Sequence, residues 1–272
     1  MRVCVVQMSS INDKAANLAE ARRLIEQAVR EDRPDLVLLP EVWAFQGGSA
    51  EERKAAAERV PEGDAYALLQ ERAWQHHILL HGGSFLEQGE GCLFNVSVVF
   101  GRDGQELARY RKLHLFDVVT PDGREYREST LVGRGQEVVT YEVEGGVRVG
   151  CSICYDLRFG ELYRRLAALG AQVLMVPAAF TLQTGKDHWE VLLRARAIET
   201  QCYVVAAAQV GAFPVGKDVR HNWGHSMIVD PWGKVLVQIS DRPGFATARL
   251  DLGYLQRVRE MIPVQQHRVL PG

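Results

Sequence analysis

An α/β or α+β fold is what this sequence predicts, and three observations predict it. The chain opens β-α-β, apolar strand-like runs outnumber helical stretches about two to one, and those helical stretches are spread along the chain. Sheets with helices interspersed bury their faces best as two sheets covered on their outer sides.

Taken in order, RVCVVQM (2–8) reads as a strand, and Lys14 to Arg30 as an amphipathic helix with Leu18, Ala21, Ile25, Ala28 and Val29 on its apolar side. DLVLL (35–39) is the next strand, a continuous apolar run of the buried type. Asp64 to Gln75 continues as helix, HILLHGGSF (77–85) as strand, and NVSVVF and GQELARY as two strands joined by a GRDG turn. Further strands fall near Val138 to Val143 and Val147 to Ile153, followed by a helix through Leu169 and the strand VLMVP. The next helix starts from Asp187, where Asp187 and Glu190 have capping-box spacing. CYVVAAAQ, GHSMIVD and KVLVQIS follow, the last two flanking a PWG turn, and GFATARLDL precedes a short closing helix.

With 47% hydrophobic and 24% charged residues, 272 residues suffice to bury a large core. No Pro/Gly/Ser-rich linker, low-complexity block or solenoid-length repeat divides them, so one domain over 1–272 is expected. A formal net charge of -2 provides no broad basic field, which argues against nucleic acid or an anionic membrane as partner. The apolar run in MRVCVVQMSS is too short for a signal peptide or a membrane span, so the expected location is the cytoplasm. Four of the five cysteines (Cys4, Cys92, Cys151, Cys154, Cys202) sit in apolar strand-like runs, so reduced thiols rather than a disulfide framework are expected.

Chemistry concentrates at three places. In VRVGCSICYDLRFGELYRRLA (147–167) a strand-like run delivers Cys154 into a turn that opens a helix. Such a turn exposes a thiol, the helix start favours negative charge, and the N–H of the following residue, Tyr155, can meet an oxyanion. A small buried cysteine ending a strand is the plainer alternative. PDLVLLPE presents Glu41 at the C-terminal end of a buried run, where ligands of α/β proteins gather. ELARYRKLHLF ends a strand in Arg111 and Lys112. Singly, a helix cap and a solvated charge would account for Glu41 and Lys112.

Two metal or redox readings are weaker. Cys151 and Cys154 form a C-x-x-C pair, but residues three apart on a strand point to opposite faces, and no second ligand pair follows for zinc. His76, His77 and His81 run from a helix end into a strand with no acidic or cysteine ligand nearby, so ordinary surface and core histidines are expected.

Together, LPE around Glu41, YRKLHLFD around Lys112 and CYDLRFGEL around Cys154 resemble the signature regions of the carbon-nitrogen hydrolase (nitrilase) superfamily. HWEVLLRARAIETQCYVVAAAQ and GHSMIVDPWGKV are similar to its Nit branch in particular, and the resemblance covers nearly the whole chain. It implies a four-layer αββα sandwich, a homo-oligomer paired through helices near the nucleophile, and a Glu41, Lys112, Cys154 triad working without metal or organic cofactor. In that triad Glu41 is the base, Cys154 the nucleophile that forms an acyl-thioester, and Lys112 with the Tyr155 N–H the oxyanion partners. Glu128 matches a glutamate that family members place beside the lysine, although Glu125 lies in the same charged loop and a solvated charge is the alternative. One departure is Gly160, where the branch usually has Pro after Arg-Phe.

Arg158 opens the helix close enough to meet a substrate carboxylate, or alternatively pairs with Asp156 or Glu161. The RARAIETQCYVVAAAQ segment is most similar to amidases of deaminated glutathione, with ω-amidases of 2-oxoglutaramate as close relatives. The expected partner is thus a small-molecule amide of a 2-oxo dicarboxylic acid. N-carbamoyl amino acids and nitriles rank behind it, acyl transfer to an amine or an inactive binding module further still.

Overall fold

The computed structural model describes residues 1–269. Its helices are α1 (Lys14–Asp32), α2 (Ala50–Ala56), α3 (Asp64–His76), α4 (Gly160–Ala168), α5 (Leu182–Thr200) and α6 (Leu252–Met261). The first sheet runs in the order Gly244–Arg249, Arg2–Gln7, Leu36–Leu38, Leu79–His81, Leu93–Phe100, Phe85–Gln88, with Glu106–Arg111 and Val132–Gly133 also paired to Leu93–Phe100. The second runs Thr140–Val143, Val147–Cys151, Val173–Ala178, Tyr203–Ala208, Met227–Val229, Val235–Gln238. Each has a parallel centre of three strands, the signature of β-α-β crossovers.

Strand alternation decides which side chain enters which core. Val3, Val5, Leu36 and Leu38 point inward between the sheets with Val149, Cys151 and Val173, whereas Cys4, Val6, Val37 and Leu39 meet α1 and α3 on the outside. Beyond the second sheet, Leu162, Tyr163 and Leu166 of α4 and Trp189, Leu193 and Ala197 of α5 close the stack. Helix, sheet, sheet, helix is the four-layer sandwich that the resemblance implies. Each such fully buried Val or Leu side chain contributes roughly 1.5–3 kcal/mol.

A buried polar link joins the sheets. His81, fully buried, has Nδ1 3.0 Å from the Tyr141 hydroxyl and Nε2 2.9 Å from Ser97 Oγ. Burial pulls its pKa down to about 3, so the ring is neutral. His76 and His77 end α3, and among the described residues no group of three His, Cys, Asp or Glu is placed to hold a metal ion. All five cysteines are free, with Cys151 and Cys154 both in the inter-sheet core. No helix among the described residues is long and apolar enough to cross a membrane.

Several elements differ from the expected ones. The fifth helix begins at Leu182, not Asp187: Thr181 caps it, accepting from the Thr184 N–H at 3.4 Å, so Asp187 and Glu190 lie inside it. HILLHGGSF is not one strand, because Gly82 and Gly83 break it into Leu79–His81 and Phe85–Gln88. The helix expected through Leu169 is a 3-10 turn, Cys154–Arg158, followed by the separate α4. Unforeseen are α2, with a Ser49/Glu52 capping box, and the hairpin Val210–Val215 with Asp218–Trp223.

Candidate active site

Glu41 leaves the strand Leu36–Leu38 through Pro40 and is 4% exposed. The turn that holds it depends on Gly83, whose φ is +59° and where a Cβ would lie 2.1 Å from the Pro40 carbonyl oxygen. Ser84 fixes the chain around it: its N–H donates to Pro40 O at 3.0 Å and its Oγ accepts from the Val42 N–H at 3.0 Å. Lys112 follows the strand Glu106–Arg111, with its N–H on Asn95 O at 2.9 Å.

Deep in the molecule these two meet. Lys112 Nζ donates to Glu41 Oε1 at 2.9 Å and to Glu128 at 2.9 and 3.2 Å, with only 2% of its side chain exposed. Asn95 Nδ2 donates to the same Glu41 oxygen at 2.9 Å, and the Phe116 N–H donates to Glu128 Oε2 at 2.7 Å. Burial alone would lower the pKa of the Lys112 ammonium, but Glu128 and then Glu41 override it and hold it well above its ordinary value. Lys112 is a permanent cation here.

Cys154 ends the run from Val147 with φ +48°, a conformation rare for a side chain that is not glycine. Burial pushes its thiol well above the ordinary value, Glu41 adds to that, and Lys112 opposes it. The resting group is therefore a thiol beside a carboxylate, not a thiolate. Its turn is anchored by the fully buried Asp156, which accepts from the Ile153 N–H at 2.8 Å, the Tyr110 hydroxyl at 2.6 Å and the His114 N–H at 3.0 Å. Tyr155 stands in the first turn of the 3-10 segment, where N–H groups lack partners within the helix. Gly160, in the position where Pro was expected, is the first residue of α4, which Pro would also suit.

The structure brings all six sequence-derived residues to one cavity of about 400 Å³: Glu41, Lys112, Glu128, Cys154, Tyr155 and Arg158. It gives the two loop acids different partners, since Glu128 grips Lys112 while Glu125, also on the cavity wall, accepts from Arg127 at 2.6 Å. Arg158 pairs with neither Asp156 nor Glu161. Its guanidinium lies 5.3 Å from the Phe180 ring centre and 3.2 Å from His188 Nδ1, with no carboxylate partner among the described residues. Sequence reading missed Asn95, Asp156 and Gln209, whose Nε2 donates to the Glu41 carbonyl at 3.0 Å. Asn95 left one sign, a polar residue opening the mostly apolar run NVSVVF.

A thiol, a carboxylate able to take its proton and a fixed ammonium in a sheltered cavity are the groups acyl transfer requires. Comparison with known proteins agrees. The carbon-nitrogen hydrolase family model matches residues 2–260. A deaminated glutathione amidase of Synechocystis sp. is 46% identical over 266 residues, 97% of this chain and 96% of that protein. The crystal structure of the Caenorhabditis elegans NitFhit protein superposes with TM-score 0.90 at 41% identity, this chain spanning 64% of it and the match covering 98% of this chain. Saccharomyces cerevisiae Nit3, a member of branch 10 of the nitrilase superfamily, gives TM-score 0.88 at 31% identity over 99% of this chain and 97% of its own. The chain belongs to the carbon-nitrogen hydrolase family, in its Nit branch, and is a hydrolase of carbon-nitrogen bonds.

Proposed function

We propose that this enzyme hydrolyses the linear amide of a 2-oxo dicarboxylic acid of the deaminated glutathione type. The observation that carries the reading is the buried group in which Glu41 lies beside the Cys154 thiol while Lys112 fixes the carboxylate. As the substrate carbonyl arrives, Glu41 takes the thiol proton and sulfur attacks carbon. Negative charge passes to the carbonyl oxygen, where Lys112 and the Tyr155 N–H stabilise it. Collapse breaks the carbon-nitrogen bond, Glu41 passes its proton to the departing amine, and the acyl group stays on sulfur as a thioester. Water, losing a proton to Glu41, then releases the acid and restores the thiol. Every proton is accounted for without a metal or organic cofactor.

The substrate class rests on Arg158 and on the relatives. A guanidinium four residues after the nucleophile, with no carboxylate partner among the described residues, suits the carboxylate of a 2-oxo acid. The test is kcat/KM on deaminated glutathione and 2-oxoglutaramate. Faster turnover of the former is expected, and a clear preference for 2-oxoglutaramate overturns the assignment in favour of an ω-amidase.

The reading extends to assembly and location. Val191 and Ile198 on α5 and Trp232 in the adjoining turn are 67%, 51% and 51% exposed, an apolar patch suited to a second copy of the chain. Light scattering reads a homo-oligomer if that face is an interface and a monomer if it is not. Five free thiols suit the cytoplasm, where they stay reduced.

A further inference from the structure

The cations that line the cavity fall into distinct sets. Lys112 is held by two carboxylates and Arg127 by Glu125, while Arg158 lies toward Phe180 and the α5 residue His188. Arg53 and Arg220 come from elsewhere, Arg53 from α2 and Arg220 from the strand Asp218–Trp223.

Arg53 has no ion pair among the described residues, and Arg220 has only a long one, with its Nη2 donating to the Glu125 carbonyl at 3.3 Å. Arg53 Nε donates only to the Ser49 carbonyl at 3.4 Å, and no carboxylate lies within ion-pair distance of it among the described residues. Arg220 lies over the Tyr126 ring at 4.3 Å, and its buried Nε has no hydrogen-bond partner; the nearest carboxylate oxygen, of Asp218, is 3.9 Å away. Burial first, and then the charge of Arg220, hold Arg53 below its ordinary pKa, with Glu128 and Glu51 opposing.

Two like charges repel unless the fold forces them together. Here it does. The Gly48 N–H donates to the Pro214 carbonyl at 2.9 Å, and Gln46 and Asn222 exchange hydrogen bonds of 3.0 and 3.3 Å, which fastens the segment before α2 to the hairpin that carries Arg220. Gly47 completes the join, since a Cβ there would lie 2.1 Å from the Pro214 carbonyl oxygen.

We propose that Arg53 and Arg220 form a second carboxylate subsite, which receives the anionic end of the leaving amine. The proposal rests on the amidase reading and deepens it: the preferred substrate bears a carboxylate on each side of the bond that breaks. Arg158, in the same turn as Cys154, serves the acyl side, where the chain is short. The leaving side of deaminated glutathione is a two-residue amine, which reaches about 7 Å from the amide nitrogen to its terminal carboxylate. A pair of planar donors suits that carboxylate, and a leaving ammonia has nothing to offer it.

The test compares deaminated glutathione, the same molecule with its terminal glycine carboxylate converted to a primary amide, and 2-oxoglutaramate. Wild-type enzyme is expected to lose about tenfold or more in kcat/KM on amidation, mainly through KM. Arg53→Met and Arg220→Met are expected to lose that discrimination. Equal wild-type kcat/KM for free acid and amidated compound overturns the subsite, as do variants that discriminate as the wild type does. If the wild type turns over none of the three compounds, the amidase reading itself fails. A variant that does not fold loses 2-oxoglutaramate turnover too, and the wild-type comparison still decides.

Discussion

Lys112 donates to both oxygens of Glu128, at 2.9 and 3.2 Å, and so presents its charge at a fixed place beside Glu41. A compact ammonium fits between two carboxylates where a planar guanidinium does not. Lys112→Arg should therefore lower kcat about a hundredfold or more although the charge is kept, the size of effect seen when an oxyanion partner is lost. Glu41→Gln should behave alike, because an amide cannot take the thiol proton. Steady-state kinetics on a fold verified by circular dichroism checks both, and near-wild-type kcat would reduce them to strand-end charges.

Asp156 holds the nucleophile turn from behind. Asn in its place puts a donor where the Ile153 N–H, the His114 N–H and the Tyr110 hydroxyl all need acceptors. Asp156→Asn should cost on the order of 3 kcal/mol of stability, measured by urea unfolding. Unchanged stability would show that the turn is held by something else.

Arg158→Met should cost roughly ten- to a hundredfold in kcat/KM on a 2-oxo acid amide. On an analogue whose 2-oxo acid carboxylate is esterified the same change should matter far less. A uniform loss on both compounds would make Arg158 a structural residue.

His81 gives the fold an acid-sensitive link. Its folded pKa, about 3, lies below the unfolded value of about 6.5, so the unfolded chain takes up a proton that the native state refuses. The stability contributed by the neutral ring is present above about pH 6.5 and lost as pH falls from there toward 3, about 2 kcal/mol of it between pH 7 and 5. Urea unfolding at both pH values should show that loss in the wild type and a smaller one in His81→Gln. Equal losses would exclude His81 as the source.

The triad was legible because LPE, YRKLHLFD and CYDLRFGEL stand in the order of the family's signature regions, whereas Glu41 and Lys112 read singly as a cap and a solvated charge. The choice between Glu128 and Glu125 was not, since a loop has no periodicity and only the fold turns one acid toward Lys112 and the other to Arg127. Asp156 was hidden for a different reason: its partner Tyr110 lies 46 residues away, and no local pattern marks such a contact. Arg53 stood in a charged run that reads as a solvated face, and Arg220 in a hairpin obscured by Gly211 and Pro214, residues that weaken a strand pattern. The start of α5 was misplaced because the Asp187/Glu190 spacing imitates a cap that Thr181 in fact supplies.

In the proposed cycle Cys154 carries the acyl group. Acid quenching during turnover of deaminated glutathione, followed by intact-protein and peptide mass spectrometry, measures it directly. A mass increase equal to the 2-oxo acyl group is expected on the peptide containing Cys154 in the wild type and none in Cys154→Ala, whose turnover should fall below about one per cent of wild type. An adduct on another residue, or a Cys154→Ala enzyme that still turns over at a substantial rate, would contradict that cycle.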